Sequence, residues 1–443
     1  MVRAGAGCRL RGATADIARR AGCPVIDDAA MLRLAFSLFA VQAGFHGFTA
    51  SLPLVLARSG IPDAEIGLVV GLASVVQIPA ALVGGALVDR FGGIRLLATG
   101  AAAYLLGAAI LLLPGIDPAN NLLPFVLSRV SQGIGLALTL PAALSLVPRF
   151  VEPGRQGFGL AFMGSAHNLT LIVMPPLSLA ILGDGRTLER VAIVVAAIVV
   201  AGAILLATLA IRTGIRPVVR DRQALASDAG AGPEDGQSIA AGPPPATRRF
   251  GFAFRRAWIL PLATILLYVA HWGVVTAYLP QRAELAGANV GLFFAADGVA
   301  VLALRIPSGW LADRMQPRWL MLGGLLATVV AIALLVLPPT TPILILAGAL
   351  TGGGAGAVMT PVLVELSHRS TDADRGSAFA MFSVALAAAI VLGSIGAAPI
   401  ISTFGFEATI AATIGGLILA ALLTLADPGL VRARPAAGMP PPA

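Results

Sequence analysis

ALVGGALVDRFGGIRLL at residues 81–97 and RIPSGWLADRMQPRWLM at residues 305–321 are two versions of one segment. Each runs from an apolar stretch through glycine and an Asp-Arg pair into another apolar stretch. Asp89 and Asp313 stand 224 residues apart. The spacing recurs elsewhere. Pro141 and Arg155 match Pro361 and Arg375 at an offset of 220, and Leu52-Pro53 matches Leu279-Pro280 at 227. A near-constant offset at three places indicates an internal duplication, so the second half repeats the architecture of the first.

The composition says what is duplicated. Of 443 residues, 57% are hydrophobic and 12% charged, with a mean hydropathy of +0.89. A soluble domain carries roughly 25% charged residues. Half that level cannot cover a water-facing surface of this size, so the apolar residues face lipid or other helices. A membrane-crossing helix needs about 20 mostly apolar residues. Such runs fall near 31–57, 64–88, 94–114, 121–148, 156–182 and 189–211, and again near 258–280, 288–311, 318–338, 341–366, 376–402 and 405–425. The expected fold is therefore an all-α membrane protein, with twelve transmembrane helices in two pseudo-symmetric six-helix bundles. The bundles occupy 31–211 and 258–427. A polar linker at 212–257, rich in Arg, Gly, Pro, Ala and Asp, joins them. Tails lie at 1–30 and 428–443.

The net charge of +8 comes from 30 basic residues, every one an arginine, against 22 acidic ones. A nucleic-acid binder would cluster its cations on one face; here they sit in short segments between apolar runs, and no nucleic-acid partner is expected. With both ends on the cytoplasmic side, 24 arginines fall in cytoplasmic segments and four outside (Arg58, Arg186, Arg190 and Arg282). That skew is the positive-inside pattern and predicts a multi-pass protein of the plasma (inner) membrane with both termini cytoplasmic. Arg129 and Arg305 remain, within spans. Cys8 and Cys23 lie in the N-terminal tail without metal-ligand company. Residues 1–30 lack an apolar stretch of signal-peptide type. Their arginine content leaves three readings open: a transit-like sequence, a tail preceding a true start at Met31, or a plain polar tail.

Gly85-Ala86-Leu87-Val88-Asp89-Arg90-Phe91-Gly92, followed by Arg95, resembles the loop 2–3 signature of the major facilitator superfamily, roughly G-x-L-x-D-R-x-G. Gly309-Trp310-Leu311-Ala312-Asp313-Arg314, followed by Arg318, is similar to it in loop 8–9. The resemblance covers all twelve spans and implies a solute transporter that alternates between two open states. It implies a gating role for both segments: Gly85 and Gly309 allow close helix approach, while Asp89 and Asp313 can sit near the positive end of a facing helix. Arg129-Val130-Ser131-Gln132-Gly133-Ile134-Gly135-Leu136-Ala137 resembles the helix-4 signature R-x-x-Q-G-x-G-x-A, whose arginine the superfamily links to proton coupling. One departure weakens a proton-antiport reading. The G-P-x-x-G-G element expected in span 5 is replaced by Met174-Pro175-Pro176-Leu177-Ser178-Leu179, and span 1 lacks an acid.

Other ionisable residues at membrane depth are candidates for coupling, because such groups are costly there unless they face a cavity or a partner. Asp297 lies near the middle of span 8, and His46, His167 and His271 lie near mid-depth of spans 1, 5 and 7. Histidine titrates near about 6.5 and can exchange protons in the physiological range. The plainer reading of each is a packing residue bonded to a nearby carbonyl. Asp297 and Arg305 are about 12 Å apart along a helix, so Asp297 needs a partner from another helix or water. In the superfamily, spans 1, 4, 7 and 10 line the central cavity. Carried over, Gln42, His46, Arg129, His271, Trp272, Tyr278 and Thr360 become candidate lining residues. Gly348, Gly352 and Gly356 read as close helix packing, since a dinucleotide fingerprint would need a strand before it.

No catalytic triad, metal-ligand cluster or phosphate loop survives its context, so neither an enzyme nor a cofactor is expected. The expected function is secondary active transport, proton-coupled efflux of a small organic or amphipathic solute by a monomer in a lipid bilayer. Uptake of a nutrient is the alternative, and a membrane-embedded sensor or enzyme the remote one.

Overall fold

The computed structural model describes residues 28–147, 150–151, 156–213, 254–314, 316–371 and 375–430. The linker expected at 212–257 and both tails therefore lie largely outside the described residues. Among the described residues there is no strand. Eleven helices are long and apolar enough to cross a membrane. The twelfth, Val290–Arg314, has 25 residues, about 37 Å of helix, around the apolar stretch Val290–Leu304.

The N-terminal six comprise span 1 (Asp28–His46 and Ser51–Arg58), span 2 (Asp63–Phe91), span 3 (Gly93–Ile110), span 4 (Leu123–Leu146), span 5 (Gln156–Leu182) and span 6 (Glu189–Thr213). The C-terminal six comprise span 7 (Ile259–Leu285), span 8 (Val290–Arg314), span 9 (Pro317–Leu334), span 10 (Thr341–His368) and spans 11 and 12, which run from Arg375 to Ala426. Two glycines make the sharpest corners. Gly92, at φ 83°, ends span 2 and starts span 3, and Gly405, at φ 82°, divides span 11 from span 12. A side chain would strain the backbone at either place.

Packing follows the duplication. Within the first half, spans 3 and 4, 2 and 4, and 1 and 6 lie side by side; within the second, spans 9 and 10, 8 and 10, and 7 and 12 do the same. Across the halves, span 2 packs on span 11 and span 5 on span 8, which are equivalent pairs under exchange of the halves. Two apolar clusters form, one mostly of the first half and one mostly of the second, and the first takes in Val274, Ala277 and Tyr278 across the contact.

Two spans depart from regular helix. Span 1 breaks at Gly47–Ala50, where the amides of Phe48 and Thr49 bond to the carbonyls of Phe45 and His46, three residues back. This tightened turn interrupts the α-helical hydrogen bonding of the span. Hydropathy reads 31–57 as one run because the break changes no apolar residue. Span 11 carries a π-helical turn at Leu392–Gly396, which widens the helix opposite span 2.

Two ends of the bundle can be told apart. At the terminal end, Met31 lies near the loop after span 4 beside Gly159. At the same end of the second half, Arg369, just past span 10, bonds Ala257 before span 7 and Asp427 after span 12. At the opposite, distal end, Arg58 after span 1 reaches Glu284 in the last turn of span 7.

Candidate functional site

The break in span 1 places Phe45, His46 and Thr49 on a narrow cavity between the halves. Span 4 contributes Arg129 from one side, and span 7 contributes Trp272 and Thr276 from the other. The site is therefore shared, with one wall from each half.

Arg129 is 1% exposed, so it does not snorkel to a membrane surface. Its Nη1 donates to Gln132 Oε1 at 2.8 Å, Gln132 Nε2 donates to Ser128 Oγ at 3.1 Å, and Ser128 Oγ donates to the carbonyl of Gly107 at 2.8 Å. This chain fixes the guanidinium, which lies 5.5 Å from the Phe45 ring centroid in cation–π contact. Arginine at the bilayer centre costs about 2.5–3.5 kcal/mol on insertion scales. No carboxylate among the described residues pairs with it. Its Nε is buried without a partner, as are Thr49 Oγ1 and both ring nitrogens of His46.

Behind this wall lies a second polar group. Gln42 Oε1 accepts from Tyr104 Oη at 2.8 Å and Thr139 Oγ1 at 3.2 Å. Two hydroxyl donors fix the amide's orientation, so its Nε2 is the donor to His167 Nδ1 at 2.9 Å. His167 in turn meets His46 edge-on, with ring centroids 5.3 Å apart. Gln42, Tyr104, Thr139, His167, His46 and Arg129 thus form one polar cluster across spans 1, 3, 4 and 5.

The other half holds Asp297. It is buried, 6% exposed, and accepts from Thr351 Oγ1 of span 10 at 2.8 Å. Gly352 brings the two helices together, because a Cβ there would collide with the Asp297 carbonyl. Asp297 is not on the lining of the shared cavity. His271 Nδ1 donates to the Tyr268 carbonyl at 2.5 Å and packs edge-on against the Tyr268 ring, the arrangement of a packing residue. Tyr278 donates to the Ser394 carbonyl at 2.5 Å within the π turn, beside Gly67 of span 2. Thr360 is half-buried in span 10.

Of the expected lining residues, His46, Arg129 and Trp272 line the cavity; Gln42, His271, Tyr278 and Thr360 stand behind or away from it. Phe45, Thr49 and Thr276 were not anticipated, though Thr49 follows His46 at the helix-breaking Gly47. Thr351 was not anticipated either; the only sequence signal for it was that Asp297 required an outside partner.

The gating segments occupy helix ends at the terminal end of the bundle. Gly85, Asp89, Gly309, Asp313 and Arg314 have surroundings outside the described residues. Arg90 lies over the ring of Phe91 at 5.3 Å and Arg318 over Trp319 at 5.0 Å, while Arg95 is exposed. Gly92 forms the corner already described.

All described hydrogen bonds between the two halves lie at the distal end. Arg58 Nε pairs with Glu284 Oε1 at 2.6 Å, and Gln281 Nε2 donates to Asp63 Oδ1 at 2.9 Å. Close packing supports them there. A Cβ on Gly67 would strike Tyr278 and Ser394, and one on Gly291 would press on Pro176. Gly67 and Gly291 are 224 residues apart, the same offset as Asp89 and Asp313. At the contact of spans 5 and 8 the close approach is supplied by Gly291 and Gly298 of span 8.

Comparison with known proteins agrees with this architecture. A family model described as Major Facilitator Superfamily matches residues 34–296 and 282–441. The chain belongs to the Major Facilitator Superfamily. Like that family, it is a multi-pass membrane transporter. Among solved structures it is similar to a peptide transporter POT in complex with sulfate, at TM-score 0.69 and 15% identity, covering 90% of this chain and 94% of that one. It is also similar to a D-xylose-proton symporter, at TM-score 0.66 and 18% identity over 90% and 97%. A third is the xylose transporter XylE from E. coli in an inward-open conformation, at TM-score 0.65 and 17% identity over 89% and 95%. At these identities the likeness is one of superfamily fold.

Proposed function

We propose that this superfamily member is a secondary active transporter that exports a small organic solute in exchange for protons, by alternating access about the cavity between its halves. The observation that carries the reading is the placement of the described bonds between the halves. Arg58–Glu284 and Gln281–Asp63 hold the halves together at the distal end, as one state of a two-state gate would. With the terminal end cytoplasmic, as the arginine distribution predicts, this is the state closed to the outside. The gating segments at the terminal end would form the opposing latch when the halves rock the other way.

Proton coupling is supported by the buried ionisable groups in both halves, Arg129 with His46 and His167 in one and Asp297 in the other. One proton crossing 100 mV releases about 2.3 kcal/mol, enough to sustain roughly a 50-fold gradient of a neutral solute. Two neighbours in fold, named as a proton symporter and a peptide transporter, are compatible with it.

The test is to screen the purified protein for stabilising solutes by thermal shift at two pH values. Hits are then added to proteoliposomes loaded with a pH-sensitive dye. Solute-driven proton movement is expected. A solute that binds tightly yet moves no protons and no label sinks the coupling. Direction is read in cells lacking the gene, which retain more labelled solute if the protein exports it. Uptake is favoured by one observation, the missing glycines at Met174, Ser178 and Leu179 of span 5, and would show as less retained label.

A further inference from the structure

The cavity holds a fixed cation without a counter-anion. Arg129 is 1% exposed and lines the cavity, and among the described residues the lining carries neither Asp nor Glu. Asp297, the acid buried in span 8, is engaged by Thr351 and lies off the lining. A guanidinium in a low-dielectric site is stable only with an opposing charge or full hydrogen bonding. Nη1 is the guanidinium nitrogen that has a protein partner, Gln132. The edge formed by Nε and Nη2 is left over, and that edge matches the two oxygens of a carboxylate. Thr49 Oγ1 and the imidazole of His46 lie on the same lining, both buried without partners. Three orphaned polar groups therefore converge on one space. Phe45 and Trp272 supply aromatic surface beside them.

We infer that the transported solute is an organic anion: a small carboxylic acid whose head group binds Arg129, with Thr49 and His46 beside it, and whose apolar or aromatic body lies toward Trp272. The inference rests on the alternating-access reading for the claim that the cavity is a transport site. It does not need any claim about direction or coupling. Arg129 closes the charge balance of the cavity only when the solute is bound, which makes an anion the species with the largest affinity gain on entering it.

The experiment measures binding to the purified full-length protein in detergent with matched probes: benzoate, benzamide, benzylamine and a short aliphatic carboxylate. Benzoate is expected to bind and benzamide and benzylamine to bind at least about tenfold more weakly, as one charge-assisted hydrogen-bonded head is lost. Arg129→Gln should lower benzoate affinity about ten- to hundred-fold and shrink the ratio of benzoate to benzamide affinity, and Arg129→Lys should retain part of the binding. Thr49→Val is the second variant and keeps the test open if an Arg129 variant misfolds; it should weaken benzoate by several-fold. Trp272→Ala should reduce the advantage of benzoate over the aliphatic acid. Equal binding of amide and acid, preference for the amine, benzoate binding unchanged in Arg129→Gln, or no binding by either carboxylate overturns the inference. Carboxylate binding without flux in proteoliposomes would leave the anion-binding assignment of the cavity standing and sink the transport reading instead. Flux of amines or neutral solutes alone would do the reverse.

Discussion

Arg58 and Glu284 join the two halves at the distal end, Nε to Oε1 at 2.6 Å, while Arg58 Nη1 also donates to the carbonyls of Gly183 and Gly185 at 2.8 and 2.6 Å. One side chain thus gathers the ends of spans 1, 5 and 7. The pair is partly exposed, so it is worth about 0.2–1 kcal/mol, a change of up to about fivefold in the ratio of closed to open states. In Glu284→Gln the distal end is expected to open more often. Spin labels at Ser59 and Ala286 would show a longer second distance in the variant. An unchanged distance distribution means the pair does not hold this state.

Gly67 is where span 2 comes closest to span 7 and the π turn of span 11. Any side chain there meets the Tyr278 hydroxyl and the Ser394 carbonyl. Gly67→Val should prevent distal closure and reduce transport at least about tenfold without unfolding the protein, since span 2 can still pack within its own half. Gly323→Ala, where a Cβ meets nothing, is the matched control and should transport normally. Equal transport by both variants would refute the role of Gly67.

Asp297 is buried within span 8 and touches Thr351 of span 10. Asp297→Asn keeps size and hydrogen bonding but removes the exchangeable charge. Uphill accumulation driven by a pH gradient should fall to background, while solute exchange between equal pools continues. If the variant concentrates solute normally in proteoliposomes, protons are coupled elsewhere.

Arg369 ties the terminal end of the second half. Nε pairs with Glu365 Oε1 at 2.7 Å, Nη2 with Asp427 Oδ1 at 2.7 Å, and Nη1 donates to the Ala257 carbonyl at 2.9 Å. Burial alone would lower its proton affinity, but the hydrogen bonds and charges of Asp427 and Glu365 outweigh that and raise it above the ordinary arginine value. A group raised in the folded state stabilises below its unfolded pKa and loses that contribution only as pH rises through the folded one. For arginine that lies far above working conditions, so its contribution to the melting temperature should be flat from about pH 6 to about pH 9. Arg369→Ala leaves two nearly buried acids unpaired and is expected to cost about 3–5 kcal/mol, read as a lower melting temperature. A melting temperature equal to that of the unaltered protein would show the cluster to be dispensable.

The sequence by itself determined the fold. Twelve apolar runs, the repeated Asp-Arg segments and the constant offset between halves follow from bilayer physics and gene duplication, both of which leave periodic marks along the chain. It also flagged Arg129, His46 and Asp297, because ionisable groups at membrane depth are conspicuous. What the tertiary structure decided is which of these face one another. His46 and Arg129 share a cavity with Trp272, whereas Asp297 turns to Thr351 and Tyr278 to the π turn. Apolar runs do not record which way a helix is rotated when its whole surface is apolar, nor a break like Gly47–Ala50 that leaves hydropathy unchanged. The Arg58–Glu284 pair, 226 residues apart, was likewise hidden: in sequence each is a loop charge, and only the packing of one half against the other makes them partners.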